Sequence, residues 1–95
     1  QSLSSKKDKI LKDLLEDFSV LYIMKLVELN FDAEHFYLYR LKTLCGKTYK
    51  QIHDETQIKK SRDKILEVSN WVKQNLTRDM IKAEFLDIYG DLIEN

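Results

Sequence analysis

The sequence predicts an all-α fold, a compact bundle of about five helices, on three observations. Apolar residues recur at three- and four-residue spacing over most of the 95-residue chain, the period of helices with one buried face. Proline is absent, so no helix interior loses an amide donor. Glycine occurs only at Gly46 and Gly90, too little turn chemistry for an ordinary all-β domain. Length predicts one domain over residues 1–95. A chain of this size buries roughly 60–65% of the surface its unfolded state exposes.

Residues 4–29 read as the first helix, with Ile10, Leu11, Leu14, Leu15, Phe18, Leu21 and Tyr22 at helical spacing. Over residues 20–29 the apolar pattern widens around the helix. Such widening predicts burial on several sides, or a second short helix entered near Phe18 and Ser19. Residues 1–31 are therefore expected to form an N-terminal helix or helix pair.

Asn30, Phe31 and Asp32 read as a stop and restart. Asp32 is placed to cap a helix from Ala33 by accepting from its orphan amide donors, with Glu34 favourable in the first turn. Phe36, Tyr37, Tyr39, Leu41 and Leu44 form the expected apolar face, and Gly46 follows where a left-handed turn suits glycine. Thr48 is placed to cap a short helix over residues 49–56, with Tyr49, Ile52, His53 and Thr56 on one face. After a turn at Gln57 and Ile58, a helix over about residues 60–75 carries a buried seam of Ile65, Val68, Val72 and Leu76, with Trp71 alongside. Residues 77–95 then form a C-terminal helix capped by Thr77, repeating Ile81, Phe85, Ile88, Tyr89 and Leu92.

Charge is balanced in total and uneven in distribution. Sixteen basic and sixteen acidic side chains cancel. Residues 40–64 nevertheless hold eight basic and three acidic residues, a net +5, which leaves −5 on the remainder. A basic region on an acidic body points to a local electrostatic partner. The lone Cys45 excludes an intrachain disulfide and suits a reducing compartment, with a cytoplasmic or nucleoid-associated location expected. The longest apolar run, Val20 to Met24, is far short of the about 20 residues a membrane span needs, so no membrane partner is expected. No signal-peptide layout opens the chain. It starts at Gln1 rather than methionine, as either a trimmed chain or one domain of a longer protein would.

No catalytic constellation emerges, and the chain is expected not to be an enzyme. His35, Cys45 and His53 lack zinc-ligand spacing, so neither metal nor cofactor is expected. The ordinary expectation for Cys45 is a buried thiol at a helix end. Asp13, Glu16 and Asp17 sit near lysines at helical surface spacing and read as solvated charges. No phosphate-binding glycine loop occurs. Trp71, Phe85 and Tyr89 read as core.

The stretch from Gly46 to Arg62 carries Gly46, Thr48, Tyr49, Ile52, Thr56 and Ile58 in the pattern G-x-[ST]-Y-x-x-I-A-x-x-T-G-I-[SP]. Over residues 37–66 it resembles the helix-turn-helix family, in particular the fourth-region domain of bacterial sigma factors, related phage regulators and terminase small subunits. It departs from that pattern at His53 for alanine and Gln57 for glycine, and Asp63 falls where the family has an aliphatic core residue, five positions after Ile58. A slightly longer turn would pass the last role to Ile65. The resemblance implies a trihelical helix-turn-helix unit over residues 32–76, with the helix of residues 33–45 bracing the other two. It further implies duplex-DNA binding in transcription regulation or phage DNA packaging. Lys59, Lys60, Ser61, Arg62 and Lys64 would then open the recognition helix, with Arg62 on guanine, Ser61 on base or phosphate, and the lysines on phosphates. Thr48, Lys50 and Gln51 would add backbone contacts. The other expectation is a helical module that self-associates or binds a protein partner through its N-terminal or C-terminal helix. The neutral total charge and the apolar stretch over residues 18–31 favour it.

Overall fold

The computed structural model describes residues 3–94, with side chains over residues 6–91. It is all-helical: α1 (Leu3–Asn30), α2 (Ala33–Thr43), α3 (Tyr49–Thr56), α4 (Ser61–Asn75) and α5 (Arg78–Glu94), with no strand among the described residues. No helix among them is long and apolar enough to cross a membrane.

α1 runs unbroken past Phe18 and Ser19. The Ser19 hydroxyl donates to the Leu15 carbonyl at 2.7 Å, so this polar residue is accommodated inside the helix instead of ending it. Of the two expectations for residues 20–29, burial on several sides holds in part. Met24 and Val27 are buried, whereas Leu21 and Leu29 are 69% and 66% exposed. At the C-terminal end the Phe31 amide still donates to Val27, and Asp32 then starts α2 with extended backbone (φ −72°, ψ 169°), accepting from the His35 amide at 2.8 Å.

α2 buries Leu38, Tyr39 and Leu41. Of the expected face, Tyr39 and Leu41 are buried and Phe36 packs against the core, whereas Tyr37 and Leu44 are roughly half exposed and Leu38, outside that face, is fully buried. α2 ends at Thr43 with Leu44 as its C-cap, and Gly46 takes the left-handed conformation expected of it (φ +65°), with the Lys47 amide donating back to the Leu41 carbonyl. Cys45 lies at the outer tip of this reversal, so its thiol is exposed and not buried as expected.

A reciprocal capping box opens α3. The Gln51 amide donates to Thr48 Oγ1 at 3.1 Å, and the Thr48 amide to Gln51 Oε1 at 2.9 Å. Ile52 is fully buried, but His53 is exposed, contrary to its expected place on the apolar face. Only Ile52 of the two turns into the core, so position 53 does not need a small side chain.

The turn into α4 spans residues 57–60. Gln57 sits in the left-handed region (φ 56°), where a glycine would be unstrained, and Lys60 does the same (φ 57°). That second reversal starts α4 at Ser61. Asp63 faces solvent, whereas Ile65 is buried with no exposed surface. Thr77 caps α5, accepting from the Met80 amide at 3.2 Å. α5 buries Ile81 and Phe85, but Ile88 is 54% exposed; the Leu92 side chain lies outside the described residues.

The helices are layered from one end to the other in an order different from that of the chain. α2 and α4 form the central pair, α3 covers them on one side, α1 on the other, and α5 rests on α1 alone. One core cluster joins Leu38, Leu41, Ile52 and Ile65 between α2, α3 and α4, with Tyr49 and Ile58 against it. A second joins Met24, Val27, Tyr39 and Val68 between α1, α2 and α4, flanked by Phe31 and Trp71. Aromatic rings secure α5: Phe18 meets Phe85 edge-on at 5.6 Å and Tyr89 at 6.1 Å. The molecule extends 51 × 27 × 17 Å.

Candidate nucleic-acid interface

The basic segment lies at the α3 end of the molecule, and its eight candidate residues divide into distinct environments. Ser61 is 4% exposed. It lies one turn before Ile65 on the seam that continues through Val68, so its expected contact with base or phosphate is not available on this surface. Thr48 and Gln51 are exposed, but their side chains are engaged in the capping box.

Lys64 is ion-paired with Glu34 of α2. At 100° per residue, positions 62 and 64 point roughly 160° apart around α4. Lys64 therefore faces the α2 flank while Arg62 faces α3, and the two do not share a face. On the same flank as Lys64, the His35 ring lies 2.7 Å from Asp32 and 3.3 Å from Glu67, stacked against Phe31. The hydrogen bonds from the His35 amide and ring hold the Asp32 carboxyl below its ordinary pKa.

Lys50, Lys59, Lys60 and Arg62 remain exposed, and none forms an ion pair among the described residues. Arg62 lies over the Tyr49 ring, with Cζ 5.2 Å from its centroid, and Lys42 Nζ approaches the same ring at 4.6 Å. One aromatic ring from α3 thus gathers a cation from α2 and a cation from α4. Sequence reasoning assigned no role to Lys42. Its signal was membership of the basic stretch, and the missing information was the fold that brings α2's last turn to Tyr49. Lys47, also in that stretch, is held by Glu55 at 2.7 Å, which raises its pKa and offsets its charge.

The start of α4 differs from that of α3. Lys60 occupies its cap position and supplies no side-chain hydrogen bond. The leading amide donors of α4 are thus unclaimed by a cap, at the positive end of the helix dipole and beside Lys59, Lys60 and Arg62. Such a tip can hold anionic oxygen through backbone donors and side-chain cations together. Asp63 in the first turn is the opposing charge.

Among the described residues no group of three or more histidine, cysteine, aspartate or glutamate side chains is placed to hold a metal ion. Comparison with protein-family models, with curated proteins and with solved structures finds no match.

Proposed function

We propose that this chain binds duplex DNA, with α3, the turn over residues 57–60 and α4 acting as a helix-turn-helix braced by α2. The observation that carries the reading is the exposed, unpaired cation set at the uncapped start of α4: Lys59, Lys60 and Arg62, with Lys42 drawn alongside through Tyr49. Lys59 and Lys60 hold phosphates, Arg62 reads a guanine edge, and Lys50 adds a backbone contact from α3. Ser61 and Lys64 shape and anchor the helix instead of touching DNA, and Thr48 and Gln51 contribute through the cap. Transcription regulation or phage DNA packaging is the setting that the sequence pattern favours.

A gel-shift series with pooled duplexes at about 50 mM salt tests the reading. Binding is expected, and Arg62→Ala should weaken it by about 1–3 kcal/mol while relaxing sequence preference at one position. Lys59→Ala with Lys60→Ala should lower the salt slope by about 2. No binding at low salt by the intact chain defeats the proposal.

A second reading, self-association or a protein partner on α1, is favoured by one specific observation. Ile10, Leu14 and Leu21 are 60%, 45% and 69% exposed. They fall within about 40° of each other around the helix. Paired α1 helices would cover that stripe, as in dimeric helix-turn-helix proteins. Sedimentation should then show an assembly that Leu21→Glu dissociates, and a strict monomer at all concentrations defeats it.

A further inference from the structure

At the end of the molecule opposite the basic segment, α1 and the start of α5 enclose a cleft of about 650 Å³. This is within the range of roughly 300–1,000 Å³ typical of small-ligand sites. Leu15, Val20, Leu76 and Ile81 form its apolar lining. Ser19 adds no free donor, because its hydroxyl is spent on the Leu15 carbonyl. Three cations, Lys12, Arg78 and Lys82, also line the cleft, against one acid, Glu16. None of these four forms an ion pair among the described residues.

Apolar walls carrying a net positive charge select an amphiphile with an anionic head. Water, acetate or phosphate would leave the aliphatic surface uncovered, and a neutral hydrocarbon would leave the cations unanswered. We propose that the cleft binds a fatty-acid carboxylate as a monomer. Its chain lies along Leu15, Val20 and Ile81, and its carboxylate meets Arg78 and Lys82. The α1 lining runs from Lys12 to Val20, about 12 Å at 1.5 Å per residue, close to the length of an extended decyl chain. The α5 N-terminus beside Arg78 adds its dipole to the same preference. This site does not depend on the DNA reading, since it shares no residue with the basic segment.

The test is a titration of decanoate, below its micellar concentration, into the 95-residue chain, followed residue by residue by amide NMR shifts. Saturable shifts confined to residues 12–20 and 76–82 are expected, with the amides of residues 57–64 unmoved. Decyltrimethylammonium and acetate serve as controls for head charge and chain. Neither should saturate in the same range. Arg78→Glu with Lys82→Glu, two exposed positions, should weaken decanoate binding by about tenfold or more, as losing charge-assisted contacts does. Val20→Asp should weaken it independently by making one wall polar, with unchanged far-UV circular dichroism confirming the fold of both variants. Equal binding of the cationic amphiphile, shifts scattered over the chain, or no saturation by decanoate overturns the proposal.

Discussion

The two ends of this molecule are built on different principles. At the α3 end, Leu38, Ile52 and Ile65 have no exposed surface, and a capping box and two left-handed residues define the entry to α3 and the turn into α4. At the α5 end, one helix rests on α1 alone, through a group of rings around Phe18 and Phe85, while Ile88 and Met80 remain more than half exposed. Close-packed aliphatics fix helix positions tightly, because any displacement loses many short-range contacts at once. Rings on a single interface are more tolerant of small shifts. The α3 end carries the exposed cations of the proposed duplex-binding surface, and the α5 end carries the cleft proposed to take an acyl chain.

The largest expected effect tests that contrast directly. Ile65→Ala should cost about 2–5 kcal/mol, because it opens a cavity between three helices. Phe18→Ala should cost about 2 kcal/mol, since its ring is only half buried and its loss frees α5 more than it disturbs α2 and α4. Urea unfolding gives both values. Native-state hydrogen exchange gives their distribution: Phe18→Ala should speed exchange in α5 and in the first half of α1, leaving Ile52 and Ile65 amides protected. Equal loss of protection in α3 and α4 would show the two ends to be one cooperative unit.

The next effect separates fold from function within the α3 end. Gln57 and Lys60 both hold left-handed backbone at a cost. Glycine at either position should stabilise the chain by up to about 1 kcal/mol. Gln57→Gly gains somewhat less, because the Gln57 amide group also donates to the Asp54 carbonyl at 2.9 Å. Gln57→Gly should leave DNA affinity unchanged, whereas Lys60→Gly should raise the melting temperature and weaken binding. Paired thermal melts and gel shifts check this, and a parallel change in both readouts for the two variants would contradict the role given to Lys60.

The features legible in the sequence were those set by neighbours along the chain. Asp32 and Thr48 as caps and Gly46 at positive φ follow from local backbone chemistry. The features that were not legible depend on partners far away in sequence. Periodicity identified α1 as apolar on one side and then nearly all round, but could not say that Leu21 would stay exposed. That depends on α5 and α4 covering other faces. The pairing of Lys64 with Glu34 spans 30 positions, and the meeting of Lys42, Tyr49 and Arg62 draws on three helices. The burial of Ser61, by contrast, is legible in the sequence. It lies four residues before Ile65, on the buried seam, and helical register outweighs its polar character.

The smallest expected effect probes the junction between the two ends, where Asp32 starts α2. Its carboxylate accepts from the His35 amide at 2.8 Å and faces the His35 ring at 2.7 Å, which holds its pKa in the folded chain below the ordinary value. A group depressed in this way contributes its full stabilisation above the unfolded pKa, about 4 for aspartate, and loses it as pH falls through the lower folded value. Asparagine caps a helix about as well and does not titrate. Asp32→Asn should therefore flatten the acid side of the stability profile, measured by urea midpoints stepped downward from about pH 5. The change should register first in exchange of the α2 amides and spare the α1–α5 aromatic contact. An acid limb identical to that of the unaltered chain would mean that the Asp32 cap adds nothing in its ionised form, and that α2 is held by its buried face alone.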